Sequence, residues 1–411
     1  DPALLPYDPR VLALLESNTD RPRVLCTASD VTLVAPIAAH LGLFDAVYCS
    51  DGTRNLAGAR KAELLVSLYG ERGFDYVANA GVDTAIWKHA RAAWVVNGGN
   101  GVARAAAVVT RVEAHWPAEQ GGPRAWLKAI RLHQWLKNLL VFVPLLASHQ
   151  FLDAGKGLAA VLAFLAFGLC ASGVYLLNDL LDLESDRQHP RKKLRPFACG
   201  RLELRAGLLV TPLLTLAGFM LAWLVAPMFL LVLAAYFCLT LAYSLRLKQV
   251  MMIDVVMLAA LYTIRIVGGA AAIDVPMSFW LLTFSMFLFL SLAMLKRYTE
   301  LKMTLDSGKT TALGRGYHVG DLSMVQAMGT ASGLVAVLVL CLYINAQESE
   351  ALYRQPLFLW LLCPVLLYWI CRTWMLAHRG LMHDDPVVFA VKDPGSLLTV
   401  LVGGLAVLAA I

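Results

Sequence analysis

The sequence predicts an all-α, multi-pass membrane domain of about nine transmembrane helices, preceded by a truncated soluble α/β domain built on a parallel sheet. Three observations carry this. The 411 residues are 59% hydrophobic and only 16% charged, with a mean hydropathy of +0.63, whereas soluble domains run at roughly 45–50% apolar and about 25% charged. The excess is uneven: residues 1–135 mix charged and apolar side chains, and almost everything after Asn138 is apolar. The basic residues of the apolar part fall almost wholly in alternate loops.

In chain order, residues 21–97 alternate short apolar runs with helical stretches. A strand-like run from Arg23 ends in Thr27, Ser29 and Asp30, and a helix follows to Leu41. Asp45 to Tyr48 then precedes a helix carrying Lys61, and the runs Phe74 to Ala78 and Ala92 to Val96 close the pattern. Strands alternating with helices imply a parallel sheet. The tract Trp116 to Pro123, with two prolines and two glycines, reads as a linker. The organisation expected is therefore a cytoplasmic α/β domain over 1–115, a linker over 116–123 and a membrane domain over 124–411. The chain starts at Asp1 rather than Met, without a signal peptide, and is read as a fragment or a processed product.

A hydrocarbon core of about 30 Å takes around 20 apolar residues per helix. Nine candidate spans result: 138–152, 157–178, 204–224, 227–247, 251–272, 277–295, 323–345, 356–378 and 396–411. Sixteen Lys and Arg, including Arg187, Arg191, Lys192, Lys193, Arg195, Lys309 and Arg315, lie in one set of loops. Only Lys156 and Arg354 lie in the other. The positive-inside rule puts the basic loops and the N-terminal domain in the cytoplasm, at the inner (plasma) membrane. An odd number of spans would put the C-terminus outside. No nucleic-acid partner is expected, and the eight cysteines, without metal-ligand spacing, read as reduced apolar fillers.

The chemistry concentrates after the second span. Asn178, Asp182 and Asp186 are spaced i, i+4, i+8, with Asp179 and Glu184 between them. On one helix the three would share a face, and carboxylates crowded at a membrane mouth repel unless a cation sits among them. Hard oxygen donors suit Mg²⁺ bridging to a diphosphate, so Asn178, Asp179, Asp182 and Asp186 are the candidate metal ligands. The basic run with Arg187, Lys192 and Arg195 is placed to take the remaining phosphate charge. Arg265, inside a span, is expected to face a cavity, either for a substrate phosphate or in a pair with Asp254. Tyr243 and Lys248 close the fourth span, and Lys137 and Arg131 lie on an amphipathic entry segment from Arg124 to Asn138. His133, His149, His318 and His383 show no ligand spacing.

The N-x-x-x-D-x-x-x-D pattern in a nine-helix chain resembles the UbiA superfamily of intramembrane prenyltransferases over about 124–411. The finer resemblance is to its decaprenyl-phosphate phosphoribosyltransferase branch. Its marks are Gln134, Trp135, Lys137 and Asn138; the D-R-x-H-P-x-K-x-x-R-P run at 186–196; Tyr243, Ser244, Leu245, Leu247 and Lys248; Lys296, Arg297 and Glu300; and Arg315, Gly316 and Tyr317. Members acting on aromatic acceptors carry a second D-x-x-x-D in the loop after the sixth span. Here that loop is expected to hold Lys296, Arg297 and Glu300, with Asp306 and Asp321 scattered. Bases for acids favour an extra phosphate over a second metal. The resemblance thus implies an Mg²⁺-dependent transfer of phosphoribose from phosphoribosyl diphosphate to a polyprenyl phosphate, a step towards cell-envelope arabinose. It assigns Asp182, Asp186 and Lys248 to catalysis, and Arg187, Lys192, Arg195, Tyr243, Arg265, Lys296, Arg297 and Lys137 to substrate. The alternatives are a UbiA-type prenyl transfer from the lipid diphosphate to a small (aromatic) acceptor, and a lipid carrier with a regulatory soluble domain.

Residues 1–115 resemble a haloacid-dehalogenase-type phosphatase domain. The resemblance matches Thr27 or Ser29 to the phosphate-binding hydroxyl, Lys61 to the phosphate-neutralising lysine, and Asn79 with Asp83 to the magnesium acid loop. The D-x-D-G nucleophile segment is not found ahead of Thr27, so the chain is not expected to act as a phosphatase.

Overall fold

The computed structural model describes residues 1–118, 121–189, 192–308, 316–382 and 385–411. Pro190, Arg191, Lys309, Arg315 and His383, named above, lie outside them. The chain divides into two compact units, one of residues 1–129 with 179–206, the other of residues 130–178 with 207–411.

In the first unit, β1 (Val24–Asp30) pairs with β2 (Ala46–Ser50), and β3 (Asp75–Ala78), β4 (Ala92–Val96) and β5 (Arg111–Trp116) form a second sheet; every pairing is parallel. Parallel neighbours need crossover connections, and helices Val31–Leu41 and Asn100–Val109 supply two of them. Asp30 ends β1 and starts the next helix, its carboxylate accepting the Thr32 N–H at 2.9 Å. Trp87, Ala93, Val95 and Ala106 form a core beneath β4, whose near-continuous apolar run suits a strand covered on both faces.

The second unit is helical. Among the described residues seven helices are long and apolar enough to cross a membrane: α1 (Ala154–Leu181), α2 (Leu204–Val225), α3 (Pro227–Leu245), α4 (Ile253–Ala272), α5 (Phe279–Asp306), α6 (Val319–Ile344) and α7 (Pro356–His378). The last residue of α1 in this unit is Asn178, and α2 enters it at Gly207. An eighth crossing results if Pro386–Lys392 and Pro394–Ala410, bent by 81°, are counted together. The bend has a local cause. Pro394 has no N–H to continue the first helix, and the Asp393 carboxylate caps the second at Ser396 N, 2.7 Å away.

Two expectations change here. The first expected span, 138–152, becomes a 3₁₀ segment Leu132–Phe142 followed by a short helix Val143–Ala147. Sixteen residues broken near Pro144 are too short for a hydrocarbon core of about 30 Å. With that span gone, counting crossings no longer places the C-terminus. Lys296, Arg297 and Glu300 lie on α5 itself, which continues to Asp306, rather than in a loop.

The 3₁₀ segment is held against α4 by close backbone approach: a Cβ at Gly269 would run into the Val141 carbonyl. Phe167, Phe229, Leu233 and Tyr236 fill the core between α1 and α3. Met294, Leu295, Tyr298 and Trp374 fill another between α5 and α7. This packing places Lys137, on the 3₁₀ segment, within reach of α4 and α5.

Candidate active site

The acid run begins at the end of α1 but does not continue as one helix. Asp182 has φ −87° and ψ 10°, and a new short helix covers Leu183–Gln188. The ladder of Asn178, Asp182 and Asp186 on a single helical face is therefore not formed. Instead Asp179 and Asp186, 3% and 1% exposed, converge on Arg195, whose Nη1 donates to Asp179 Oδ1 at 3.1 Å and Asp186 Oδ2 at 2.6 Å. Asp182 is half-buried. Asn178 donates from Nδ2 to Ser244 Oγ at 2.9 Å in the membrane unit.

Two buried carboxylates share one guanidinium nitrogen, and charge left uncompensated is costly in a desolvated setting. Among the described residues Asp186 Oδ1 has no hydrogen-bond partner. A buried anionic oxygen without a donor suits a hard cation, so the donor set fits Mg²⁺. Among the described residues, however, no three His, Cys, Asp or Glu side chains stand close enough together to enclose a metal. The described side chains therefore do not by themselves complete a cage around a metal. The neighbouring bases are arranged differently from one another. Arg187 Nε donates to the Ala198 carbonyl at 3.2 Å, and Lys192 is exposed.

In the membrane unit, Lys137 and Lys296 meet at Asp385. Their ammonium groups lie 2.9 and 3.1 Å from the same oxygen, Oδ2. Tyr262 Oη donates to the other oxygen at 3.4 Å, and the Lys137 ammonium sits over the Tyr262 ring, 5.4 Å from its centroid. Burial pushes the Asp385 carboxyl up, but the charges of Lys296 and Lys137 outweigh it and hold the group well below the usual carboxylate range. His133, beside this group, is pushed down by burial and then by the charges of Arg131, Lys137 and Lys392.

Two other charged groups are enclosed. Arg297, 1% exposed, pairs with Asp254 and with Glu300. Tyr243 Oη donates to Asp254 Oδ1 at 2.8 Å, and Arg297 Nη2 reaches Tyr243 Oη at 3.3 Å. Asp254 thus pairs with Arg297 and not with Arg265. Arg265, 5% exposed, donates to Asn138 Oδ1 at 2.9 Å, to Tyr236 Oη at 3.0 Å and to the Leu261 carbonyl. It also stacks on the Tyr236 and Tyr262 rings at 4.9 and 5.8 Å. Ring faces and neutral dipoles stabilise a desolvated guanidinium. Lys248 lies on a 3₁₀ turn, Leu247–Gln249, after α3.

In the N-terminal unit, Thr27 Oγ1 accepts the Ser29 N–H at 3.1 Å within β1, where the pairing with β2 is irregular between Cys26 and Asp30. The buried Lys61 ammonium reaches Tyr76 Oη at 3.1 Å, and burial raises that phenol's pKa. Asp83 caps its own turn, accepting the Ala80 N–H at 3.2 Å, and Asn79 is exposed. Thr27, Ser29, Lys61, Asn79 and Asp83 are each placed by local structure.

Sequence reasoning missed Asp385. Its one local signal is Asp385-Pro386, a helix-start pair, and its Oδ1 does accept the Val387 N–H at 3.1 Å. That signal predicts a cap and says nothing of the two lysines, which stand 248 and 89 positions away.

Residues 139–391 match the UbiA prenyltransferase family. A protein of Sinorhizobium fredii, "Uncharacterized protein y4nM", is 37% identical over 404 residues, covering 96% of this chain and 77% of that one. "Nodulation protein NoeC" of Azorhizobium caulinodans is 37% identical over 277 residues, 67% of this chain and 90% of that one. "Decaprenyl-phosphate phosphoribosyltransferase" of Mycolicibacterium smegmatis is 35% identical over 188 residues, 44% of this chain and 58% of that one. Among solved structures, a UbiA homolog from Archaeoglobus fulgidus bound to GPP and Mg²⁺ superposes with a TM-score of 0.51 at 15% identity, over 69% of this chain and 99% of that one. The match over 139–391, the apolar helices and the shared fold agree: this chain belongs to the UbiA prenyltransferase family, an integral membrane transferase.

Proposed function

We propose that the chain transfers phosphoribose from phosphoribosyl diphosphate to a polyprenyl phosphate, in an Mg²⁺-dependent reaction at the cytoplasmic face of the inner (plasma) membrane. The observation that carries this reading is the convergence of Lys137 and Lys296 on one anion position, Asp385 Oδ2. Two lysines make a phosphate site, where a second acidic motif would make a metal site. The relatives named decaprenyl-phosphate phosphoribosyltransferase support it, and the segregation of basic loops supports the orientation.

Asp179 and Asp186, which converge on Arg195, would hold Mg²⁺ together with substrate and water oxygens, with Asp182 and Asn178 adjoining them in the chain. The ion there would neutralise the diphosphate as the ribose C1–O bond breaks, typically a large catalytic contribution. Arg195, already bridging two of the acids, keeps them oriented and adds positive charge for the leaving diphosphate, together with Arg187 and Lys192; Lys248, just after α3, keeps the catalytic role the resemblance implies. Lys137 and Lys296 bind a phosphomonoester. Arg297 and Tyr243, locked with Asp254, hold α5 and α3 in place, and Arg265 supplies a fixed positive field from within α4. An oxygen of the lipid phosphate forms the new bond to C1, and the diphosphate leaves with the bonding electrons.

For residues 1–115 we read a haloacid-dehalogenase-like domain with a degenerate site, on the cytoplasmic side. The decisive experiment incubates purified protein with radiolabelled phosphoribosyl diphosphate and polyprenyl phosphate, with and without Mg²⁺. Label appearing in lipid only with Mg²⁺ is expected. No transfer, together with prenylation of a small aromatic acceptor by the lipid diphosphate, would overturn the reading.

A further inference from the structure

Asp385 gives its two lysines an anion that is smaller and less charged than the one they are built to bind. Both ammonium groups bond the same oxygen, at 2.9 and 3.1 Å, while Tyr262 addresses the other. The three donors come from three segments: the 3₁₀ segment, α5 and α4. The side chains are 12% exposed at Lys137, 11% at Asp385 and 29% at Lys296, so water screens the group only in part. Among the described residues two cations meet one carboxylate, and such an imbalance is felt more strongly as the effective dielectric falls. A phosphomonoester dianion would balance it. Carboxylate and phosphate oxygens accept charge-assisted hydrogen bonds of the same length. Lysine is a point charge on a flexible stem, and it can follow an anion from one acceptor to another without a fixed bidentate geometry.

We propose that Asp385 is a resident stand-in for a substrate phosphomonoester, holding Lys137 and Lys296 on the anion position and giving that position up when the phosphate binds. This rests on reading the two lysines as phosphate ligands. Asp385 is a positioning residue: it keeps two long side chains converged in the empty state, so that less side-chain freedom is lost on binding. It also competes with the ligand, because affinity is reduced by the fraction of sites the stand-in occupies. The phosphomonoester is either the head of the polyprenyl phosphate or the 5-phosphate of the ribosyl donor.

The competition has a direct consequence for affinity, and displacement of the carboxylate by the ligand has a second one, for its accessibility. Replacing an acid with a neutral isostere should tighten anion binding. Binding of ribose 5-phosphate and of undecaprenyl phosphate in detergent micelles is measured by calorimetry on the intact chain, wild type and Asp385→Asn. We expect a roughly threefold to tenfold lower Kd in Asp385→Asn for one of the two, and that ligand identifies the source. The gain should vanish in Asp385→Asn with Lys296→Ala. If both ligands bind Asp385→Asn no better than wild type, or more weakly, the stand-in role is wrong. Should the variant fail to fold, the wild-type chain answers: carbodiimide coupling of an amine to Asp385 should rise when the phosphomonoester is added. Unchanged coupling with either ligand overturns the proposal. These readouts concern binding alone, so they stand or fall separately from turnover with phosphoribosyl diphosphate.

Discussion

Asp179 and Asp186 meet on a single nitrogen, Nη1 of Arg195, at 3.1 and 2.6 Å. The pair is buried, shares one cation and leaves Asp186 Oδ1 unbonded among the described residues. The break at Asp182, between α1 and the short helix Leu183–Gln188, is what brings them to this arrangement.

Asp186→Ala and Asp182→Ala should each abolish Mg²⁺-dependent transfer, by about 10²–10³-fold or more if the acids orient leaving-group stabilisation. Membrane insertion should be intact, because neither residue lies within an apolar span. The check is product formation against Mg²⁺ concentration, alongside the amount of protein in washed membranes. Full metal-dependent activity in both variants would remove the acids from the metal site.

Where the phosphomonoester at Lys296 is the donor's 5-phosphate, Lys296→Ala should weaken phosphoribosyl diphosphate more than a ribosyl diphosphate lacking that phosphate. The wild-type preference between the two measures what the second phosphate contributes; an equal Kd for both donors in wild type would favour prenyl transfer to a small acceptor. Charge-assisted hydrogen bonds are worth roughly 1.5–3 kcal/mol, so a loss of about 10–100-fold is expected for the full donor.

Asp254→Ala should destabilise the membrane unit by about 3–5 kcal/mol, because it leaves the Arg297 guanidinium buried beside one carboxylate rather than two. Arg297→Met combined with Asp254→Leu should recover much of that loss, since an apolar pair needs no charge compensation. Thermal unfolding in a single detergent would show it. A double variant no more stable than Asp254→Ala would mean that packing, not charge, dominates there.

The lipid product of residues 1–411 should retain its 5-phosphate. Residues 1–26 hold no D-x-D-G segment, and Lys61 bonds Tyr76. Mass analysis of the product is the measurement, and inorganic phosphate released from lipid-linked phosphoribose would show that the N-terminal unit has a nucleophile of another kind.

The sequence by itself determined what depends on local composition. Of the nine spans expected, seven are membrane-length helices among the described residues, because hydrocarbon demands that each span satisfy its own backbone. The parallel sheets follow from alternating apolar and helical stretches, and the acids around Asp182 stand out because ionisable groups are expensive beside an apolar span. Spacing alone misplaced the break at Asp182 and the short 3₁₀ entry segment, both set by backbone geometry that periodicity does not report. Partner choice was beyond it altogether. Arg265 was open to Asp254, yet Asp254 goes to Arg297 and Arg265 to Asn138 and two tyrosines. Only the tertiary structure decided this, and only it brought Asp385 between Lys137 and Lys296. A charge inside a membrane must find a counterpart, but which one it finds depends on how helices distant in the chain pack together.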